Sequence, residues 1–177
     1  WTQLELEERM GAGDPRLAEA RGLVMIQCVG AREEGREYCA RVCCSQAVKN
    51  ALALKARNPG MDVSILYRDM RTYGTREDSY REAAGRGVRF VRWTPAGRPA
   101  VEPARDEEGR PVLRVTVPDP ILGESLALDA DLVVLSAAAV PPQDAPGVAR
   151  LFKVPLGPDG FLQEAHGFEY ANAVIRS

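Results

Sequence analysis

An α/β domain on a parallel sheet is what this sequence predicts, and three observations predict it. Gly22-Leu-Val-Met-Ile-Gln-Cys-Val-Gly30 is a nearly continuous apolar run ending in glycine, the pattern of a strand buried on both faces. Asp131-Leu-Val-Val-Leu-Ser136 repeats that pattern far along the chain and returns as a second buried strand. Between the two, strand-like and helix-like stretches alternate, which is the signature of parallel β-α-β units.

Taken in order, the stretch 2–10 carries apolar residues at 4, 6 and 10 behind a potential Thr2 N-cap and predicts a short helix. Residues 1–20 are expected to serve as a linker. The first strand follows, then a helix over 43–55 with apolar residues at helical spacing, ended by Asn58-Pro-Gly60. Met61-Asp-Val-Ser-Ile-Leu-Tyr67 predicts the second strand, 76–84 a polar helix ended by Gly85-Arg-Gly87, and Val88-Arg-Phe-Val-Arg-Trp93 the third strand. Two right-handed β-α-β units give a Rossmann-like half with strand order 3-2-1, its functional groups beyond the carboxyl ends of the strands. Short extended pieces at 100–104, 111–117 and 126–128, separated by Asp106-Glu-Glu-Gly109, Pro118-Asp-Pro120 and Gly123-Glu124, predict an antiparallel meander over about 100–129. The fourth strand is placed beside the first. The expectation is a three-layer domain over 21–140, as in the nucleotide-binding domain of disulfide-reductase-type flavoproteins, and a Pro- and Gly-rich tail over 141–177 leading towards a flavin domain.

Composition narrows the classes of partner. The chain has 177 residues, 45% hydrophobic and 27% charged, with 23 basic and 25 acidic side chains interspersed. That balance leaves no basic footprint for nucleic acid or for a membrane surface. No apolar stretch approaches membrane-spanning length and no secretory signal is recognisable, so a cytoplasmic setting is expected.

The cysteines are unevenly placed: Cys28, Cys39, Cys43 and Cys44 fall within 17 consecutive residues, and there is none elsewhere. Clustering of this kind points to metal or redox chemistry more than to structural bridges. A dinucleotide-binding turn would carry G-x-G-x-x-G between the first strand and its helix. Here the turn reads Cys28-Val-Gly-Ala-Arg32, an acidic loop Glu33-Glu-Gly-Arg-Glu37, and Tyr38-Cys-Ala-Arg-Val-Cys-Cys44. Cys39, Cys43 and Cys44 are expected at the start of the helix, and thiolates there would fill the space of a pyrophosphate. Four thiolates suit an iron–sulfur cluster, structural zinc, or dithiol/disulfide chemistry. Adjacent ligands reach a bulky cubane more readily than one small ion about 2.3 Å from each sulfur. Arg32, Arg36 and Arg41 would offset the cluster's negative charge.

The stretches Val24-Met-Ile-Gln-Cys-Val-Gly-Ala-Arg32, Tyr38-Cys-Ala-Arg-Val-Cys-Cys-Ser-Gln-Ala47, Ile65-Leu-Tyr-Arg-Asp-Met-Arg-Thr-Tyr-Gly74 with Arg76-Glu-Asp78, and Phe161-Leu-Gln-Glu-Ala-His166 resemble the family of A-type heterodisulfide reductase subunits. The resemblance runs from Thr2 to His166. It implies an FAD-containing, thioredoxin-reductase-like module with a [4Fe–4S] cluster at the four cysteines, in complexes that reduce a heterodisulfide and ferredoxin by flavin-based electron bifurcation. It implies as partners the remaining domains of the same polypeptide together with other electron-transfer subunits, with a homodimer open. The sequence departs from the family at Ser136-Ala-Ala-Ala-Val-Pro141, which lacks the family's glycine, and after His166. The Gly-rich FAD pyrophosphate loop is expected elsewhere in a longer protein, so this chain is expected to retain FAD poorly.

After the second strand, where a dinucleotide fold reads the adenosine ribose, stand Arg68, Arg71 and Tyr73. These, with His166, the single histidine, are candidates to face the flavin or the cluster, against a plainer reading as a solvated loop. Two rival functions stay open: a pyridine-nucleotide-disulfide oxidoreductase NAD(P)/FAD domain, and a zinc-stabilised interaction module.

Overall fold

The computed structural model describes residues 1–119 and 123–163. Two compact units divide the described residues, one formed by Trp1–Val29 with Val42–Ala137, the other by Gly30–Arg41 with the described residues from Ala138 to Gln163.

The first unit opens with α1 (Gln3–Ala12) and the short α2 (Pro15–Glu19). Thr2 and Glu5 form a reciprocal capping box at the start of α1, and Gly13 closes it in the left-handed conformation. β1 (Gly22–Val29), α3 (Cys43–Arg57), β2 (Asp62–Tyr67), α4 (Arg76–Gly85) and β3 (Arg89–Arg92) follow. Then come β4 (Ala100–Arg105), β5 (Pro111–Pro118), β6 (Ser125–Ala130) and β7 (Leu132–Ala137). β3, β2, β1 and β7 form a four-stranded sheet in that order, every pair parallel, and β4, β5 and β6 form a three-stranded antiparallel sheet. The sequence predicts this topology, including the return of the last strand beside the first.

Alternation along β1 assigns its side chains to two cores. Leu23 and Met25 pack with Leu6 and Met10 of α1, Ala47, Val48, Ala51 and Leu54 of α3, and Val134 of β7. Val24 and Ile26 point the other way, packing with Leu66, Trp93 and the meander residues Val115, Val117, Leu128 and Ala130. The unit is therefore layered as helices, parallel sheet and meander. α1, expected as a linker, places Leu6 and Met10 in the first core. It is tied to α3 where the Asn50 Nδ2 group donates to Gln3 Oε1 at 2.8 Å and to the Gln3 carbonyl at 3.2 Å.

In the second unit the chain reverses at Gly35, which takes a φ of 76°, between Glu33 and Arg36. Tyr38 donates its hydroxyl to the Ala139 carbonyl at 2.7 Å and meets Phe161 edge to face at 5.4 Å. The Pro- and Gly-rich stretch after Pro141, read from the sequence as an ordered tail with no element assigned, contains a helix, α5 (Ala145–Phe152), with proline in its first turn.

Candidate functional site

The cysteines lie where the first strand hands over to its helix. β1 and β7 pair in step from Leu23↔Leu132 to Ile26↔Leu135 and resume at Val29↔Ala137. Gln27 and Cys28 thus stand opposite Ser136 alone, a β-bulge that redirects the chain at the carboxyl end of the strand. Cys28 occupies it with a φ of 62°, a left-handed conformation that costs a side-chain-bearing residue of order 1–3 kcal/mol. Cys28 and Val29 both pack against the meander-side core.

α3 begins at Cys43 behind an N-cap, Val42, whose side chain makes no capping hydrogen bond. Cys43 and Cys44 are its first two residues. Cys44 is 5% exposed and its thiol donates to the Asp69 carbonyl at 3.7 Å, whereas Cys43 is half-buried. Cys39 is not on the helix, contrary to expectation. Arg41, with a φ of 58°, breaks helical continuity between Cys39 and Cys43. Cys39, half-buried, belongs to the second unit, whereas Cys28, Cys43 and Cys44 belong to the first. None of the four is in a disulfide. Among the described residues, no group of three or more His, Cys, Asp or Glu side chains is gathered closely enough to hold a metal ion.

Two observations bear on whether these residues suit an iron–sulfur group. The donor set is four soft sulfurs, the chemistry such clusters require. Beside Cys28, moreover, Gln27 is wholly buried, and neither its Nε2 nor its Oε1 has a hydrogen-bond partner among the described residues; the same holds for Oγ of Ser136. Buried polar atoms are nearly always paired, so unpaired ones at a strand's functional end need a ligand, water or ion to account for them. The donor chemistry fits. Sequence alone does not single out Gln27, because one glutamine in an apolar run carries no signal of a bulge.

On the loop after β2, the Arg68 guanidinium lies over the Trp93 ring, 5.6 Å from its centroid, and the Arg68 carbonyl accepts from Arg92 Nε at 3.1 Å. Arg92 also pairs with Asp69 at 3.5 Å. Arg71 is half-buried, Tyr73 is 53% exposed, and Thr72 between them is buried. His166 lies outside the described residues. The structure thus holds Arg68 over a core tryptophan and turns Tyr73 outward.

No family model matches the chain. Among known proteins, the A-type iron-sulfur subunit of the CoB–CoM heterodisulfide reductase of Methanocaldococcus jannaschii is 39% identical over 93% of this chain and 26% of its own length. The A-type subunit of the H2/formate:CoB–CoM heterodisulfide, ferredoxin reductase of Methanococcus maripaludis is 44% identical over 81% of this chain and 21% of its own. A solved thioredoxin reductase from T. acidophilum superposes with a TM-score of 0.46 at 12% identity, over 80% of this chain and 38% of that one. With 39% identity over 93% of its residues, the chain is homologous to the A-type subunits of heterodisulfide reductases, of which it spans about a quarter.

Proposed function

We propose that this chain is the electron-transfer domain of a heterodisulfide-reductase-like flavoprotein, in which Cys28, Cys39, Cys43 and Cys44 hold a [4Fe–4S] cluster relaying electrons to or from FAD in the parent protein. The observation that carries the reading is C-x10-C-x3-C-C standing at the β1–α3 turn, where a dinucleotide fold would carry its phosphate-binding glycines. The M. jannaschii relative bears the name of an iron-sulfur subunit, which supports it.

Such a cluster supplies reversible one-electron capacity. The protein's part is to provide four thiolates, shift the potential through nearby donors, and limit water. The first turn of α3, which receives no side-chain cap from Val42, adds N–H groups that favour negative charge beside Cys43 and Cys44. Arg68, Arg71, Tyr73 and His166 are proposed to face the flavin or the cluster. The partners are then the remaining domains of the parent polypeptide and its electron-transfer neighbours, in a reducing cytoplasm. No helix among the described residues is long and apolar enough to cross a membrane.

Low-temperature EPR of the anaerobically reconstituted, dithionite-reduced protein tests the reading. A spin-half signal from a reduced cluster, lost in the Cys39→Ser variant, is expected. A reduced protein with iron bound but no such signal contradicts it.

A further inference from the structure

Gln27 and Ser136 face each other across the β1–β7 bulge with three side-chain polar atoms that have no hydrogen-bond partner among the described residues. Both residues are buried, Gln27 completely and Ser136 to within 4%. Strand alternation places Gln27 on the same sheet face as Leu23 and Met25, and Ser136 on the same face as Val134. That is the face covered by α3, through Ala47, Val48, Ala51 and Leu54, and α3 runs back over the sheet from its first residues, Cys43 and Cys44. An amide and a hydroxyl therefore lie on the sheet face that α3 covers, at the strand ends where this fold places its ligands.

We propose that Gln27 Nε2 and Ser136 Oγ donate hydrogen bonds to sulfur atoms of the iron–sulfur group held by the cysteines, and so set its reduction potential. The inference rests on the proposed function and names two residues that support the group without ligating it. A hydrogen bond to a cluster or thiolate sulfur withdraws negative charge, which is felt more strongly in the reduced state, so it raises the potential. Glutamine suits this position better than leucine or glutamate would. Leucine has no donor, and glutamate would add a buried negative charge beside an anionic centre.

The test compares Gln27→Met, Ser136→Ala and the double variant with the parent protein, all reconstituted anaerobically with iron and sulfide. Iron content and midpoint potential are measured, the latter by redox titration followed by EPR. The expected result is full iron content in each variant and a more negative potential. The Gln27→Met shift should be at least tenfold in the reduction equilibrium, about 59 mV for one electron, and the double variant should shift further. Unchanged potentials with iron retained overturn the proposal and leave the two side chains to a trapped water or to the fold. If Gln27→Met does not fold, Ser136→Ala, which removes only a hydroxyl, decides by the same readout. A parent protein that takes up no iron–sulfur group refutes the proposed function itself and this inference with it, an outcome distinct from unchanged potentials.

Discussion

The Cys44 thiol donates to the backbone carbonyl of Asp69 at 3.7 Å, tying the first turn of α3 to the loop after β2. A thiol that donates is protonated, whereas a metal ligand is a thiolate. Cluster binding and this hydrogen bond therefore exclude one another at Cys44. Cys43→Ser and Cys44→Ser should each lower iron content on reconstitution, because serine is a harder and poorer match for iron. Full iron content in either variant would remove that residue from the ligand set.

Asn50 is the buried hinge pin between α1 and α3, donating to both the side chain and the carbonyl of Gln3. Asn50→Ala strands Gln3 oxygens inside the core, and should cost about 1–3 kcal/mol. Urea denaturation followed by circular dichroism would measure it. A loss well under 1 kcal/mol would mean that α1 is only loosely docked.

The sheet is legible because buried parallel strands announce themselves as apolar runs: 22–30 contains β1, and 131–136 covers all but the last residue of β7, the edge strand beside it. Turn residues at 106–109 and 123–124 likewise mark out the meander. Three features are not legible, each for a local reason. α5 is hidden because Pro146 and Gly147 read as breakers, although proline in the first turn needs no amide partner. The position of Cys39 off the helix is hidden because nothing in Ala40-Arg-Val42 signals that Arg41 turns left-handed. The bulge at Gln27 and Cys28 is invisible because an extra residue in an unbroken apolar run leaves the pattern unchanged.

Asp14 caps α2 through the Arg16 amide at 3.0 Å and binds the guanidinium groups of Arg16 at 2.7 Å and Arg9 at 3.0 Å. The Arg16 hydrogen bond leads the interactions that hold its carboxyl well below the usual carboxylate range. Because the folded value is depressed, the stabilisation is complete above the unfolded value of 3.8 and is lost as pH falls through the folded one. Asp14→Ala should lower Tm at pH 7, and its gap to the parent should stay constant down to about pH 4 and then close. A gap independent of pH in the acid range would contradict the ion-pair account.

NADH and NADPH should bind weakly or not at all, since the turn before α3 lacks its phosphate-binding glycines and Cys43 and Cys44 open the helix. Calorimetry reads this directly. Micromolar affinity, a free energy of about −8 kcal/mol, would restore the pyridine-nucleotide reading.

Metal analysis after anaerobic reconstitution bears on the central claim most directly. With Cys28, Cys39, Cys43 and Cys44 as ligands, the protein should take up about four iron and about four acid-labile sulfide per chain, with a broad visible absorbance that bleaches on reduction. One equivalent of zinc with no sulfide would contradict the account.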